Sequence, residues 1–338
     1  MTELPSKNIL RRNVLVLSID EVDRLSWDRL LDNACTTTPF HNLDWIRALH
    51  ETYPSIKPEL LIFESGGEYL GGFPYVIMKR YGFLKFLVSL PFRTYGGPVV
   101  RDDAPPDVAR ALWESVHKII REQRISAIRT INFHAFSTLS PPSYYKPHLM
   151  FTHQIPLVPD YNHVLKKIYT HSVRTMLRQT REKGVLVEKV ANEAGVKEFA
   201  RIVCDTDKRH GEKPLPERLF INLFRCMGDH CLYHLAYHEG RAIAGILSLV
   251  QGDSVHNWKA ASYPEFWHLH PNNALVDHVV RWAVEHKKKW CDLGTSPRQA
   301  YNLIRYKERW GAKLYNYNMW EWESRSLRSI RRFLGKVE

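Results

Sequence analysis

The sequence predicts an α/β protein in which one unit is written twice, each unit a mixed, mostly antiparallel sheet flanked by helices. Three observations predict this. Two glycine-marked hairpins recur 173 residues apart, with Gly67 and Gly72 falling on Gly240 and Gly245. Each hairpin is followed by a segment of helical apolar spacing that leads into a strand-like run. A chain of 338 residues also has room for two domains of ordinary size.

Taken in order, residues 60–77 read as strand, glycine turn and strand, and residues 233–250 have the same form. Residues 105–123 carry Val108, Leu112, Val116 and Ile119 at helical spacing and lead into a strand over 127–132. Residues 271–288 repeat the spacing with Leu275, Val279, Trp282 and Ala283 and lead into a strand over 290–294. Between the halves, Ile155, Pro156, Leu157, Val158 and Pro159 read as a linker. The expected divisions are therefore 1–155 for the first domain, 156–322 for the second, and 323–338 for a basic amphipathic C-terminal helix. The second domain opens on a basic helix over 162–183, ended by Gly184 at the C′ position.

Composition narrows the class. Hydrophobic residues are 44% and charged residues 25%, which is ordinary globular composition. The longest apolar run, 83–92, contains Lys85 and Pro91 and falls short of the roughly 20 residues a spanning helix needs. Met1 is followed by no charged-then-apolar leader, and the five cysteines are scattered without a CxxC pair. A reduced, cytoplasmic setting is expected. Lys and Arg number 48 against 36 Asp and Glu, a net charge of +12. That excess serves solubility or an anionic partner: tRNA, a sugar nucleotide, coenzyme A or an acidic membrane.

Several chemistries are absent. There is no GxxxxGK[ST] phosphate loop, no GxGxxG opening a helix after a strand, no GxSxG elbow and no HExxH. His230, His234 and His238 lie in or beside a strand, with no carboxylate or cysteine to complete a tetrahedral set. No metal site is expected.

Four stretches carry a family resemblance. They are residues 40–49, beginning Phe40-His41-Asn42; residues 90–98, ending Tyr95-Gly96-Gly97-Pro98; the basic helix 173–185, ending Gly184-Val185; and residues 292–311. The last is the most specific, an Asp292-Leu293-Gly294 turn leading to Tyr306-Lys307 and Trp310-Gly311. Together they resemble the FemAB-like GNAT superfamily, which includes the Fem-type aminoacyltransferases of peptidoglycan and the related N-acyltransferases of polysaccharide loci. The resemblance covers residues 39–321 and implies tandem GNAT-like units that transfer an acyl group to an amine of a cell-envelope precursor. It implies acyl-CoA or aminoacyl-tRNA as the donor co-substrate, with no tightly bound cofactor. The lysine matching Lys307 is expected to stabilise the reacting acyl carbonyl, and the aromatic matching Tyr306 to pack beside the donor. Arg209, with His210 beside it, matches a position expected to grip acceptor phosphates. Two features depart from the pattern. The [QR]xxGx[GA] loop that holds coenzyme A pyrophosphate is not evident, residues 263–272 standing there instead, and no long helical arm is inserted in the second unit.

The residues have physical readings of their own. Acyl transfer to an amine passes through an oxyanion, and a fixed cation aimed at it lowers the barrier. Lys307, following Arg305 and flanked by Tyr306 and Trp310, is either that cation or a solvated lysine. Arg174, Arg178 and Arg181 recur at helical spacing, as a phosphate-binding stripe or as a solvated face. Asn272 and Asn273 are candidate N-caps of a helix whose start suits a phosphate. Asp292 orients a substrate amine or satisfies turn amides. Trp258 and Lys259 sit on a central strand, facing the cleft or backing it. In the C-terminal helix Leu327, Ile330 and Leu334 share a face ringed by Arg325, Arg328, Arg332 and Lys336. That face attaches to an anionic membrane surface or packs on the protein. From another functional class comes a non-catalytic adaptor that binds an acidic polymer or membrane through its positive surface.

Overall fold

The computed structural model describes residues 8–11, 13–80, 83–92, 94–133 and 139–333. The chain folds as two compact units, Met1–Met150 with Asn316–Glu338, and Phe151–Tyr315.

The first unit contains β1 (Asn8–Arg11), β2 (Val14–Ser18), α1 (Arg24–Asp32), α2 (Leu43–Thr52), β3 (Pro58–Ser65) and β4 (Glu68–Arg80). It continues with β5 (Leu84–Val88), β6 (Val99–Val100), α3 (Asp107–Glu122) and β7 (Ala127–Asn132). The second contains β8 (Lys146–Pro156), α4 (Tyr161–His163), α5 (His171–Glu182), β9 (Leu186–Lys189), α6 (Glu193–Arg209), α7 (Glu217–Met227) and β10 (Cys231–His238). It is completed by β11 (Arg241–Gln251), β12 (Ser254–Ser262), α8 (Pro271–Glu285), β13 (Trp290–Thr295) and α9 (Tyr301–Arg309). Then β14 (Lys313–Glu323) and α10 (Arg325–Phe333) return to the first unit.

Each unit is built on the same ladder. In the first the strand order is β1-β2-β3-β4-β5-β7-β14, with β6 on β4; in the second it is β9-β10-β11-β12-β13-β8. Neighbours are antiparallel except at one joint per unit, β5 with β7 and β12 with β13, because a helix crosses over between those strands. α3 and α8 are these crossover helices. Each buries the apolar stripe seen in the sequence, Val108, Leu112, Val116 and Ile119 in one unit and Leu275, Val279 and Ala283 in the other.

The hairpins correspond residue for residue at the same spacing of 173. Ile62 pairs Gly72 in the first unit as Leu235 pairs Gly245 in the second. The register breaks after Phe63 in one and after Ala236 in the other, so even the bulge is repeated. Glycine is required at Gly72 and Gly245 by close approach: a Cβ would lie 2.3 Å from the Trp27 ring of α1 or 2.6 Å from the Phe199 ring of α6.

The closing strand of the first unit follows the whole second unit in sequence. Thr152 to Pro156 of β8 pair with β13, while Asn318 to Glu323 of β14, which follow the second unit, pair with β7 of the first. The expected divisions at 155 and 322 therefore shift to 150 and 315. The residues read as a linker begin within a strand, since Gln154 to Pro156 belong to β8. The single basic helix expected over 162–183 is broken: α4 runs into a π turn (Val164–Ile168) and Tyr169 and Thr170 are extended before α5 begins. Gly184 does end α5 at positive φ, with its N–H donating to Arg181 O at 3.0 Å. In α10 Leu327 is buried, while Leu334 and Lys336 lie outside the described residues. No helix among the described residues is long and apolar enough to cross a membrane.

Candidate active site

The parallel joint of the second unit is where ladder pairing fails on both sides at once. β12 and β13 pair only as far as His256 and Asp292. On the β11 side Leu247 pairs Lys259 and Ser248 pairs Asn257, which leaves Trp258 bulged out of the ladder. On the β8 side the register breaks between Asp292 and Thr295. Gly294 sits at φ +75°, a conformation other residues rarely adopt. Its carbonyl and that of Thr295 are thus turned away from the ladder and offered to a donor.

Lys307 takes both. Its Nζ donates to Gly294 O at 2.6 Å and Thr295 O at 3.1 Å, and the residue is only 5% exposed. An ammonium carries three N–H groups, so one has no acceptor among the described residues. The rest of the aromatic-lysine motif fixes this placement. Trp310 is fully buried edge-on to Tyr169, their ring centroids 4.9 Å apart. Gly311 lets the chain pass Ile168, whose carbonyl oxygen a Cβ there would meet at 2.4 Å. Thr170 ties down the end of α9, its N–H and hydroxyl donating to Arg309 O at 3.0 and 2.8 Å. Three anchors thus hold the helix that delivers one lysine.

Beneath it lies a buried carboxylate. Asp292 is 3% exposed; its Oδ1 accepts from Thr152 Oγ1 and from the Gly294 N–H, each at 2.6 Å, and His256 Nδ1 stands 3.6 Å away. Gln154 Nε2 lies 3.5 Å from its Oδ2. Burial pushes this carboxyl upward, but His256, Thr152 and the Gly294 N–H outweigh it and hold Asp292 below the usual carboxylate range. Burial lowers Lys307 from the ordinary lysine range to about 8, with Asp292 opposing. The turn reading of Asp292 is seen directly in its bond to Gly294.

A second cationic cluster lies along β12. Lys259 Nζ is 3.4 Å from Asp207 on α6. Arg209, at the end of α6, stacks over Trp267 at 5.5 Å, and its Nη2 lies 3.4 Å from Ser262 O. Trp267 Nε1 and Asn272 Nδ2 both donate to Ser262 Oγ, at 3.0 and 3.1 Å. His210 caps α6 and is exposed, and Trp258 lies 6.3 Å from the Phe220 ring.

The remaining sequence candidates stand apart from these clusters. Arg174 closes the end of the preceding helical turns, donating to Tyr169 O at 2.6 Å. Arg178 is exposed, with its Nε 3.7 Å from Glu182, and Arg305 is exposed on α9. Tyr306 packs against the core of the second unit, its ring 6.3 Å from that of Trp310. The expected N-cap of α8 is corrected. The N-cap is His270, at φ +55°, and not an asparagine. Asn273 is buried with Nδ2 3.3 Å from Met176 Sδ. Sequence reasoning missed Thr152, Gln154 and His256, whose only signal was polar character within strand-like runs.

The equivalent joint of the first unit is sealed by its own chain. Ser89 N–H donates to Arg129 O at 3.2 Å, Gly96 N–H to Ile131 O at 2.7 Å, and Gly97 N–H to Ser89 Oγ at 2.7 Å. A separate cavity of about 580 Å³ opens in that unit, lined by Tyr53, Met78, Val88, Phe92, Arg129 and Ile131 among others. None of the sequence candidates lines it.

Residues 169–318 match the family profile described as an acetyltransferase (GNAT) domain. The second unit is thus similar to a GNAT acetyltransferase domain. Among curated proteins none matches the chain. Among solved structures, FemX superposes with a TM-score of 0.71 at 15% identity, covering 90% of this chain and 96% of that one. L-PGS from Bacillus licheniformis gives 0.60 at 11% identity, covering 93% and 96%. A tandem GNAT protein from the clavulanic acid biosynthesis pathway gives 0.55 at 10%, covering 92% and 98%. At these identities the likeness establishes the fold alone, a tandem GNAT-like one. The Lys307 cluster lies within the matched GNAT domain, at its parallel joint.

Proposed function

We propose that the chain is an N-acyltransferase that moves an acyl group from acyl-CoA or aminoacyl-tRNA to an amine of an anionic cell-envelope precursor. One observation carries this reading: Lys307 is buried at the open joint, held by two backbone carbonyls, with one N–H left over. As the amine attacks the acyl carbonyl carbon, negative charge gathers on its oxygen. A donor already in place meets that charge without reorganisation. Collapse of the adduct expels the ribose hydroxyl or the thiol, and the amine nitrogen gives up the proton that the leaving group gains. Lys307 does this as a cation, hence below its ionisation at about 8. Lys259 and Arg209 supply charge for phosphates of either substrate, in keeping with a net charge of +12. The likeness to FemX and L-PGS favours an envelope acceptor.

The test is a donor and acceptor screen. Purified protein is incubated with a panel of acyl-CoAs or charged tRNAs and with extracted envelope precursors, and products are read by mass spectrometry. An acceptor gaining one acyl mass, lost in Lys307→Met, is the expected result. No product from any pairing, with the protein folded, overturns the reading.

A further inference from the structure

β12 runs on from His256, its last partner of β13, to Ser262, so its carboxyl end stands outside the parallel pairing. In α/β sheets ligands collect beyond the carboxyl ends of strands, where neighbours diverge. From that end the chain enters a short 3-10 helix, Pro264–Leu269, before α8 begins. Two aromatic residues of this turn take opposite positions. Phe266 packs against the core of the second unit, while Trp267 is 52% exposed.

A single exposed ring needs no explanation by itself. What sets Trp267 apart is that it is exposed and yet held. Its indole N–H is bonded to Ser262 Oγ, and Ser262 is itself buried. The Arg209 guanidinium lies over the ring and reaches the carbonyl of the same serine. One buried residue thus fixes both the indole and the cation stacked on it. Among the described residues no second ring or cation stacks on Trp267, so the face away from Arg209 is left for a ligand. Such a surface suits a nucleobase, because stacking on an aromatic ring uses the π-face that every base has. Charge for a phosphate is close by. Of the five N–H groups of a guanidinium, only those on Nη2 of Arg209 have acceptors among the described residues, Thr206 Oγ1 at 3.5 Å and Ser262 O at 3.4 Å. Lys183 reaches the same turn, its Nζ donating to His268 O at 2.7 Å.

We propose that Trp267, backed by Arg209, is the stacking platform for the adenine of the acyl donor. This rests on the transfer reading, whose two donors, acyl-CoA and aminoacyl-tRNA, differ in size but share an adenosine with phosphate attached. The base lies on the open indole face, and a phosphate lies toward Arg209 and Lys183. The platform binds the donor and takes no part in the bond changes, so its loss weakens binding more than turnover.

The test needs no turnover. AMP, UMP and ribose 5-phosphate are titrated into the full chain and followed by NMR. AMP should bind most tightly, and Trp267→Leu should weaken it by about tenfold while leaving ribose 5-phosphate unchanged. Trp267→Tyr, which keeps a ring, should restore most of the loss. Equal AMP affinity in wild type and Trp267→Leu overturns the proposal, and so does UMP binding as tightly as AMP. Should Trp267→Leu fail to fold, 8-azido-AMP is photolysed with the wild type and the adduct is located by mass spectrometry. Labelling within residues 263–272 is expected, and labelling only elsewhere overturns the platform. Competition separates the two sources: coenzyme A or deacylated tRNA should displace AMP, and displacement by neither overturns the donor assignment. Transfer rates keep the two readings apart. AMP held through Trp267 in a protein that transfers from neither donor sustains the adenosine site and sinks the transfer reading. An active enzyme whose donor KM is unmoved in Trp267→Leu sinks only the platform.

Discussion

Across the sheet of the first unit, at the parallel joint, one row reads Val76, Val88, Arg129 and Glu321. The same row of the second unit reads Leu249, His256, Asp292 and Gln154. The backbone positions correspond, and the side chains have gone separate ways. In the first unit Arg129 and Glu321 pair with each other, and the Arg129 guanidinium is half exposed. In the second the carboxylate is buried, collects donors from two strands and a turn, and lies under a lysine. Beyond the row, residues 89–97 close the first joint with their own amides, whereas Gly294 and Thr295 open the second to Lys307. A duplicated scaffold thus keeps its packing rules in both copies and a buried lysine–carboxylate cluster in one. What distinguishes them is where backbone carbonyls are spent, on the chain itself or on a cation.

The largest test of that contrast is Lys307→Met, which keeps most of the stem and removes the charge. Turnover should fall by about 100-fold or more, the scale of losing one oxyanion donor, with the melting temperature little changed. Lys313→Met, outside the motif and exposed, is the matched control and should turn over normally. Near-normal single-turnover rates in Lys307→Met would break the asymmetry between the units.

Next come the paired glycines, where the units should behave alike. Gly72→Ala and Gly245→Ala each drive a Cβ into an aromatic ring, and each should cost ~1–3 kcal/mol of stability. Denaturant titration of both variants checks this. A large cost in one and none in the other would show that the repeated packing is not equivalent.

Smaller still is the effect of charge in the polar row. On the proposed role of Lys307 the wild-type rate should decline above pH about 8, as the protonated lysine is lost when pH rises through that value. Asp292 supports that proton, so Asp292→Asn should move the decline to lower pH, leaving about tenfold less activity on the alkaline side for a shift of about one pH unit. Its counterpart Arg129→Gln should leave the pH profile alone and change stability by no more than ~1 kcal/mol, as for other exposed ion pairs. An equal displacement of the profile by both variants would contradict the division of roles.

The elements that declared themselves in the sequence are those whose causes are local. The hairpins at Gly67 and Gly240 carry their own turns, and α3 and α8 carry their own apolar stripes, so both repeats were legible. β8 was not. Its partner begins at Trp290, and the prolines after Ile155 gave a strand end the look of a linker. With β8 hidden, Thr152 and Gln154 could not be joined to Asp292. The helix start at Pro271 misled for a related reason: Asn272 and Asn273 have capping chemistry, yet one is drawn to Ser262 and the other to Met176 by packing from elsewhere. Lys307 was reached by resemblance. Nothing in helical spacing reveals that two carbonyls freed by Gly294 will be waiting for it.

The late position of β14 also sets the order in which the chain can finish folding during synthesis. Every paired strand of the second unit has been synthesised by Thr295, and its last helix by Arg309. The first unit waits longer, because Asn132 must pair with Asn318, and Ala127 with Glu323, after the whole second unit has been made. Until then β7 offers an unpaired edge, the arrangement that invites association with other strands. The half synthesised first is completed last, and the half carrying Lys307 can be assembled while its elder neighbour is still open.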